Sequence, residues 1–261
     1  MKRLFPILTV ALALSGCIIV SNEGGERTVV TAEAPNASLS AAYAAAIADP
    51  LRPAEERERD PLRHPAEMLA FAELSPGDRI ADIRPGAGYF TRLFARVVGP
   101  QGHVYAFVPD QTAARENARA QPLVDAYGNV SLVNGRLETM RFDQPLDVIF
   151  VSQEYHDFHL PFFGPADIGQ VNAAAFRALR PGGLYVLIDH QARPGSGIAD
   201  TAQLHRMEGA QLRREVEAAG FVFDGESTAV ANPADDHSLN VFDPAIRGRT
   251  DQFVYRFRKP G

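Results

Sequence analysis

Residues 79–83 form a short apolar run broken by Asp82 near its end. They lead straight into Arg84-Pro85-Gly86-Ala87-Gly88-Tyr89 and then into a stretch, 89–98, with helical spacing. A strand that passes into a helix through a turn holding two glycines is the connection a parallel α/β sheet requires, so this junction constrains the fold most. Gly86 and Gly88 have no Cβ to collide with a bound group, and the amides opening the helix favour electron-rich atoms. A ligand crevice is therefore expected at the carboxyl end of this strand. Glycines also occur in such turns for chain reversal alone, so the order of the neighbouring elements has to decide.

That order alternates. Apolar strands are predicted at 79–83, 103–108, 130–133, 146–152 and 184–189, with helices at 89–98, 110–120, 165–179 and 199–219 between and after them. Gly220 is placed to end the last helix in a left-handed conformation. Two more strands, at 221–223 and 252–258, have no long helix between them and should pair antiparallel. The expected fold is α/β, a doubly wound, mostly parallel seven-stranded sheet with an antiparallel last strand.

The N-terminus reads differently. Lys2-Arg3 precedes an apolar run from Leu4 to Leu14, and Leu14-Ser15-Gly16-Cys17 follows. This has the three regions of a secretory signal peptide and is too short to span a membrane. Leu14 to Cys17 resembles the bacterial lipobox, which implies lipidation of Cys17 and an exported, lipid-anchored protein at the periplasmic face, the outer membrane being favoured by Ile18. Cys17 is the only cysteine, which excludes a disulfide framework and a thiolate metal site. The expected organisation is a signal peptide over 1–16, a flexible tether over 17–37, a helical arm over 38–65 and one catalytic domain over 66–261. A chain of 261 residues, 46% of them apolar, can bury one such core. Its net charge of -6, with no basic run beyond Lys2-Arg3, argues against a nucleic acid partner.

A dinucleotide site would need a third glycine where Thr91 stands and an acid ending the second strand, where Val108-Pro109 stands. Instead, the segment from Gly77 through the turn to Gly102, with Val104-Tyr105-Ala106 after it, resembles motif I of class I S-adenosylmethionine (SAM)-dependent methyltransferases and its following strand. Phe176 to Gly183, ahead of an apolar strand, resembles a second signature of that superfamily. Tyr155-His156-Asp157, Asp189-His190, Leu204-His205-Arg206 and Thr250-Asp251-Gln252-Phe253 narrow the resemblance to a bacterial methyltransferase group with unassigned substrate, over roughly residues 60 to 260.

The resemblance implies SAM as cofactor, with Asp82, Pro85, Gly86, Gly88 and Tyr89 on the stretch that meets its methionine portion. Arg84 stands where the superfamily has its first glycine, and there it either crowds the cofactor or pairs with its carboxylate. Val108 occupies the position of the acid that usually holds the ribose, so Asp110 is the substitute candidate. Gly135 opens the loop that borders adenine, where Arg136 replaces a frequent acid.

His156, Asp157 and His190 follow the ends of the fourth and fifth predicted strands, where side chains face the crevice. Methyl transfer needs an aligned nucleophile and a group to take its proton, so His156 or His190 is the candidate general base and Asp157 or Asp189 its orienter. Hydrogen-bonded histidines that merely stabilise loops are the plain alternative. A metal set of His156 and His159 with His190 or His237 plus Asp157 is weighed and no metal is assigned, because two-residue spacing is uncommon for zinc. Asp235-Asp236-His237 and Arg247-Gly248-Arg249 lie on a long connection that is either a lid over the substrate or a solvated loop. The leading function is methyl transfer to a small-molecule or envelope acceptor. A methyltransferase-fold binding protein, or a metal-dependent hydrolase, would be the alternatives.

Overall fold

The computed structural model describes residues 17–21, 27–31, 36–161 and 166–261. The signal peptide expected over 1–16 lies outside the described residues. In chain order the strands are β1 (Cys17–Ser21), β2 (Arg27–Thr31), β3 (Arg79–Ile83), β4 (His103–Pro109), β5 (Val130–Gly135), β6 (Leu146–Ser152), β7 (Leu179–His190), β8 (Val222–Ser227) and β9 (Gln252–Arg258). The helices are α1 (Ala37–Ile47), α2 (Ala54–Arg57), α3 (Asp60–Arg63), α4 (Pro65–Phe71), α5 (Tyr89–Val98), α6 (Asp110–Ala126), α7 (Ile168–Ala178), α8 (Thr201–Leu204) and α9 (Gly209–Glu217).

All strands share one sheet, ordered β2-β1-β8-β9-β7-β6-β3-β4-β5. The pairs from β5 to β7 are parallel, and β9 runs antiparallel between β7 and β8. The seven expected strands thus form the doubly wound sheet with one antiparallel strand. The backbone at 17–21 and 27–31, read from sequence as tether, forms an antiparallel hairpin that extends this sheet through pairing of β1 with β8. No helix among the described residues is long and apolar enough to cross a membrane.

The period of two in β3 sorts its side chains onto two cores. Ile80 packs on the face covered by α1, α4, α5 and α6, whereas Ala81 and Ile83 pack with α7 and α9 on the other. Asp82 therefore points to the α5 face, where it is 3% exposed.

The helix predicted over 199–219 is two helices. His205 adopts a left-handed φ of 54°, and the next two residues leave the helical path. Met207 N donates to His190 O (3.0 Å) and Ala192 N donates to Met207 O (2.9 Å), so this segment prolongs the β7 edge instead of coiling. Arg206 is fully buried there, bridging Asp235 at 2.9 Å and donating to Leu239 O and Gln191 O. Helical spacing cannot reveal a tertiary strut of this kind. Gly220 has the expected positive φ, 99°.

Candidate active site

A cleft of about 420 Å³ opens at the carboxyl ends of β3 and β6. It falls in the size range of small-molecule sites, roughly 300–1,000 Å³. Its floor is the turn after β3, with Asp82, Arg84, Pro85, Gly86, Ala87 and Tyr89 in the wall. The two glycines of that turn do different work. Gly86 (φ 58°) would meet nothing within 4 Å if given a Cβ, so its backbone borders open space where a ligand can approach. Gly88 (φ 92°) would overlap the Leu123 side chain of α6, so helix packing demands it.

Asp82 accepts a 2.6 Å hydrogen bond from the Thr91 hydroxyl, at the position where a dinucleotide fold has its third glycine. Burial pushes its carboxyl up to about 6, against the opposing pull of Thr91 and Arg63. Arg84 lines the cleft and turns its guanidinium to carboxylates of the protein. Its side chain, 8% exposed, is gripped by Glu116 (2.9 Å), Glu154 and Asp157 (2.9 Å). Burial acts to lower its pKa, but these three carboxylates outweigh that and raise it further. Glu154, just beyond β6, lines the cleft, and burial pushes its carboxyl up to about 8 despite Arg84. Sequence reasoning passed over Glu154, although a carboxylate two residues past a strand end was the available signal.

The roof is the helical arm. Pro53, Glu55, Glu56, Arg59 and Arg63, from α2, α3 and their flanks, all line the cleft. Asp60 anchors the arm to the turn: Tyr89 donates its hydroxyl to Asp60 at 2.6 Å, and Arg52, fully buried, grips the same carboxylate at 2.6 and 3.0 Å. Arg92 of α5 pairs with Glu56 at 2.6 Å. Arg63 stacks over the Tyr89 and Phe90 rings (4.8 and 5.6 Å) and donates to Gln153 Oε1 at 2.8 Å. Burial, with Arg59 adding repulsion, lowers the Arg63 guanidinium to about 10. Among the described residues neither Arg59 nor Arg63 has a carboxylate within ion-pairing distance. Both are suited to meet an anionic group in the cleft. Nothing in the sequence pattern connected this charged, proline-containing arm to the site.

The other predicted residues are spread out. Asp110 is the exposed first residue of α6 and Gly135 ends β5; neither belongs to the cleft wall. Val108 is fully buried. His156, Asp157 and His190 do converge, but behind the wall and not on it. His156 Nδ1 lies 2.7 Å from Asp189 Oδ1, and Nε2 lies 3.1 Å from Asp157 Oδ1. Burial alone would lower this imidazole, yet the two carboxylates push it up to about 10. Burial lowers His190 to about 3, and its Nδ1 meets the Thr250 hydroxyl at 2.8 Å. His159 turns away to Glu215 and His237 to Asp251, so they do not form the weighed metal set. The connection at 228–251 is anchored through Asp235 and His237, while Asp236 and Arg247-Gly248-Arg249 are exposed on it.

Residues 81–187 match the family described as methyltransferase domain. The ubiquinone/menaquinone biosynthesis C-methyltransferase UbiE of Vibrio parahaemolyticus is 31% identical over 136 residues, covering 50% of this chain and 49% of that protein. A protein-L-isoaspartate O-methyltransferase of Ignicoccus hospitalis is 36% identical over 72 residues, 27% of this chain and 33% of that one. The chain thus spans half or less of the length of these relatives. Among solved structures, a SAM-dependent methyltransferase from Aquifex aeolicus superposes with a TM-score of 0.53 at 16% identity, covering 80% of this chain and 99% of that one. Aeropyrum pernix fibrillarin with natively bound SAM gives a TM-score of 0.51 at 15% identity, covering 93% and 94%. The sheet order, the cleft on the β3 turn and these likenesses lead to one conclusion: this chain has the Rossmann-like fold of class I methyltransferases, and its residues 81–187 are similar to the methyltransferase domain family.

Proposed function

We propose that this protein is a SAM-dependent methyltransferase acting on a small-molecule or cell-envelope acceptor. The observation that carries the reading is the open backbone of Gly86 beneath a roof holding Arg59 and Arg63. This suits a cofactor whose methionine end bears both a carboxylate and a sulfonium. Asp82, Arg84, Pro85, Gly86, Gly88 and Tyr89 form or support that half of the site, and the two arginines would meet the carboxylate. SAM brings an already activated methyl group, so the residues' task is alignment and water exclusion. Glu154 and Gln153 stand on the wall where an acceptor can be hydrogen-bonded. Asp157 acts on that wall as a positioning residue, through Arg84, and His156 orients Asp157. His190 stays neutral beside them.

The site is built for the methionine half more than for the ribose half, since Val108 is apolar and Asp110 lies outside the cleft. Titration of the full chain with SAM and with S-adenosylhomocysteine in a calorimeter tests the reading. Saturable binding is expected, weakened when Arg63 is replaced by alanine. No heat of binding at millimolar ligand would sink it. We further propose that the chain is exported and held at the periplasmic face of the envelope by lipid on Cys17, that it binds no nucleic acid, and that its acceptor is met there.

A further inference from the structure

Behind the cleft wall, three ligand-type atoms face a common point: His156 Nε2, Asp157 Oδ1 and His205 Nδ1. His156 Nε2 lies 3.1 Å from Asp157 Oδ1 and 3.3 Å from His205 Nδ1, and His205 Nδ1 lies 3.3 Å from Asp157 Oδ1. These three edges are nearly equal. A regular tetrahedral site with bonds of about 2.0 Å has edges of about 3.3 Å, so the triangle matches one face of such a site. The three residues come from two places in the chain, 48 residues apart, brought together by the break between α8 and α9 that turns His205 inward.

The surroundings are built as a metal site's outer shell is built. Asp189, fully buried, accepts from His156 N at 2.7 Å with one oxygen and meets His156 Nδ1 at 2.7 Å with the other, which also accepts from His190 N at 2.8 Å. That clamp holds the Nδ1 proton and aims Nε2 at the triangle, the arrangement in which a carboxylate orients a ligating histidine; a metal ion binds there by displacing the Nε2 proton. Asp157 commits Oδ2 to Arg84 at 2.9 Å, which leaves Oδ1 for the triangle. Protons on the imidazoles can bridge these atoms in pairs, whereas a metal ion that displaces them would engage all three at once. His205 is 26% exposed, which leaves an entry path and an open coordination position.

We infer that His156, Asp157 and His205 form a binding site for a divalent first-row transition-metal ion, separate from the cleft. A two-histidine, one-carboxylate set suits zinc or iron in preference to magnesium or calcium. None of the three residues lies on the cleft wall, so metal binding is tested without SAM.

The full chain, stripped with a chelator and dialysed, is titrated with Zn²⁺ by calorimetry and with Co²⁺ by visible absorption. One Zn²⁺ per chain is expected, with Co²⁺ giving the intense bands of a four- or five-coordinate ion. His205→Ala should weaken Zn²⁺ binding by about 100-fold or more while the melting temperature in chelator stays at the parent's value. Asp189→Asn, which touches no metal, should weaken it by roughly 10- to 100-fold. Absence of stoichiometric Zn²⁺ binding at micromolar metal overturns the inference, as does a His205→Ala chain that binds as the parent does. SAM binding that persists while Zn²⁺ binding is absent would discard this site and leave the proposed function intact.

Discussion

Two strands that border the cleft each end in a non-glycine residue with a left-handed backbone: Arg84 (φ 55°) after β3 and Gln153 (φ 63°) after β6. Such backbones cost on the order of 1 kcal/mol each and persist where the surroundings over-determine them. For Arg84 the surroundings are three carboxylates, and removing it leaves Glu116, Glu154 and Asp157 facing one another. Arg84→Gly should relax the backbone yet lose about 3–5 kcal/mol of stability, read from denaturant unfolding, because a buried set stripped of its cation is worse than strain. A neutral or stabilising result would show that the arginine is an obstruction and not a keystone. Asp82 offers a second measurement. Its folded-state pKa of about 6 lies above the ordinary 3.8, so its protonated form is favoured by folding. The corresponding stabilisation is complete below about pH 4 and is lost as pH rises through 6. Relative to Asp82→Asn, which does not titrate, the parent should therefore lose on the order of 3 kcal/mol between pH 4 and pH 7. A pH-independent difference would contradict the burial argument.

At the scale of elements, α5, β3, β6 and β9 begin and end where hydrophobic period and turn chemistry place them, since both signals are local. The break between α8 and α9 was not legible, because it answers to Arg206, whose partner Asp235 lies 29 residues on. Arg206→Ala would strand a buried carboxylate, and the expected loss is about 3–5 kcal/mol together with faster proteolytic cleavage within 228–251. Cleavage at the parent's rate would mean that the connection is held by other contacts. The site divides in the same way. The floor of the cleft could be read because a glycine turn is a local signal. The roof could not, because docking of α2 and α3 depends on Asp60 meeting Tyr89 and Glu56 meeting Arg92 across the fold. The histidine cluster was half legible: strand ends indicated His156 and His190, but the approach of His205 follows from the same unreadable break.

On the scale of the whole molecule, one sheet with a core on each face carries the cleft at one end, and the segment ahead of the domain is doubly engaged with it. The hairpin β1–β2 pairs with the β8 edge, and the arm that follows crosses to the far side of the sheet order to cover the β3 turn. Tyr89 belongs to the glycine turn that floors the cleft and also holds the arm through Asp60. Docking of the arm and filling of the cleft are thus two equilibria that share a residue, and thermodynamic linkage makes their influence mutual. Whatever factor a ligand in the cleft adds to the arm's closure, the closed arm adds to that ligand's affinity. A pull or a partner that lifts residues 53–63 would be felt inside the cleft as a weaker ligand, with no contact to the ligand itself.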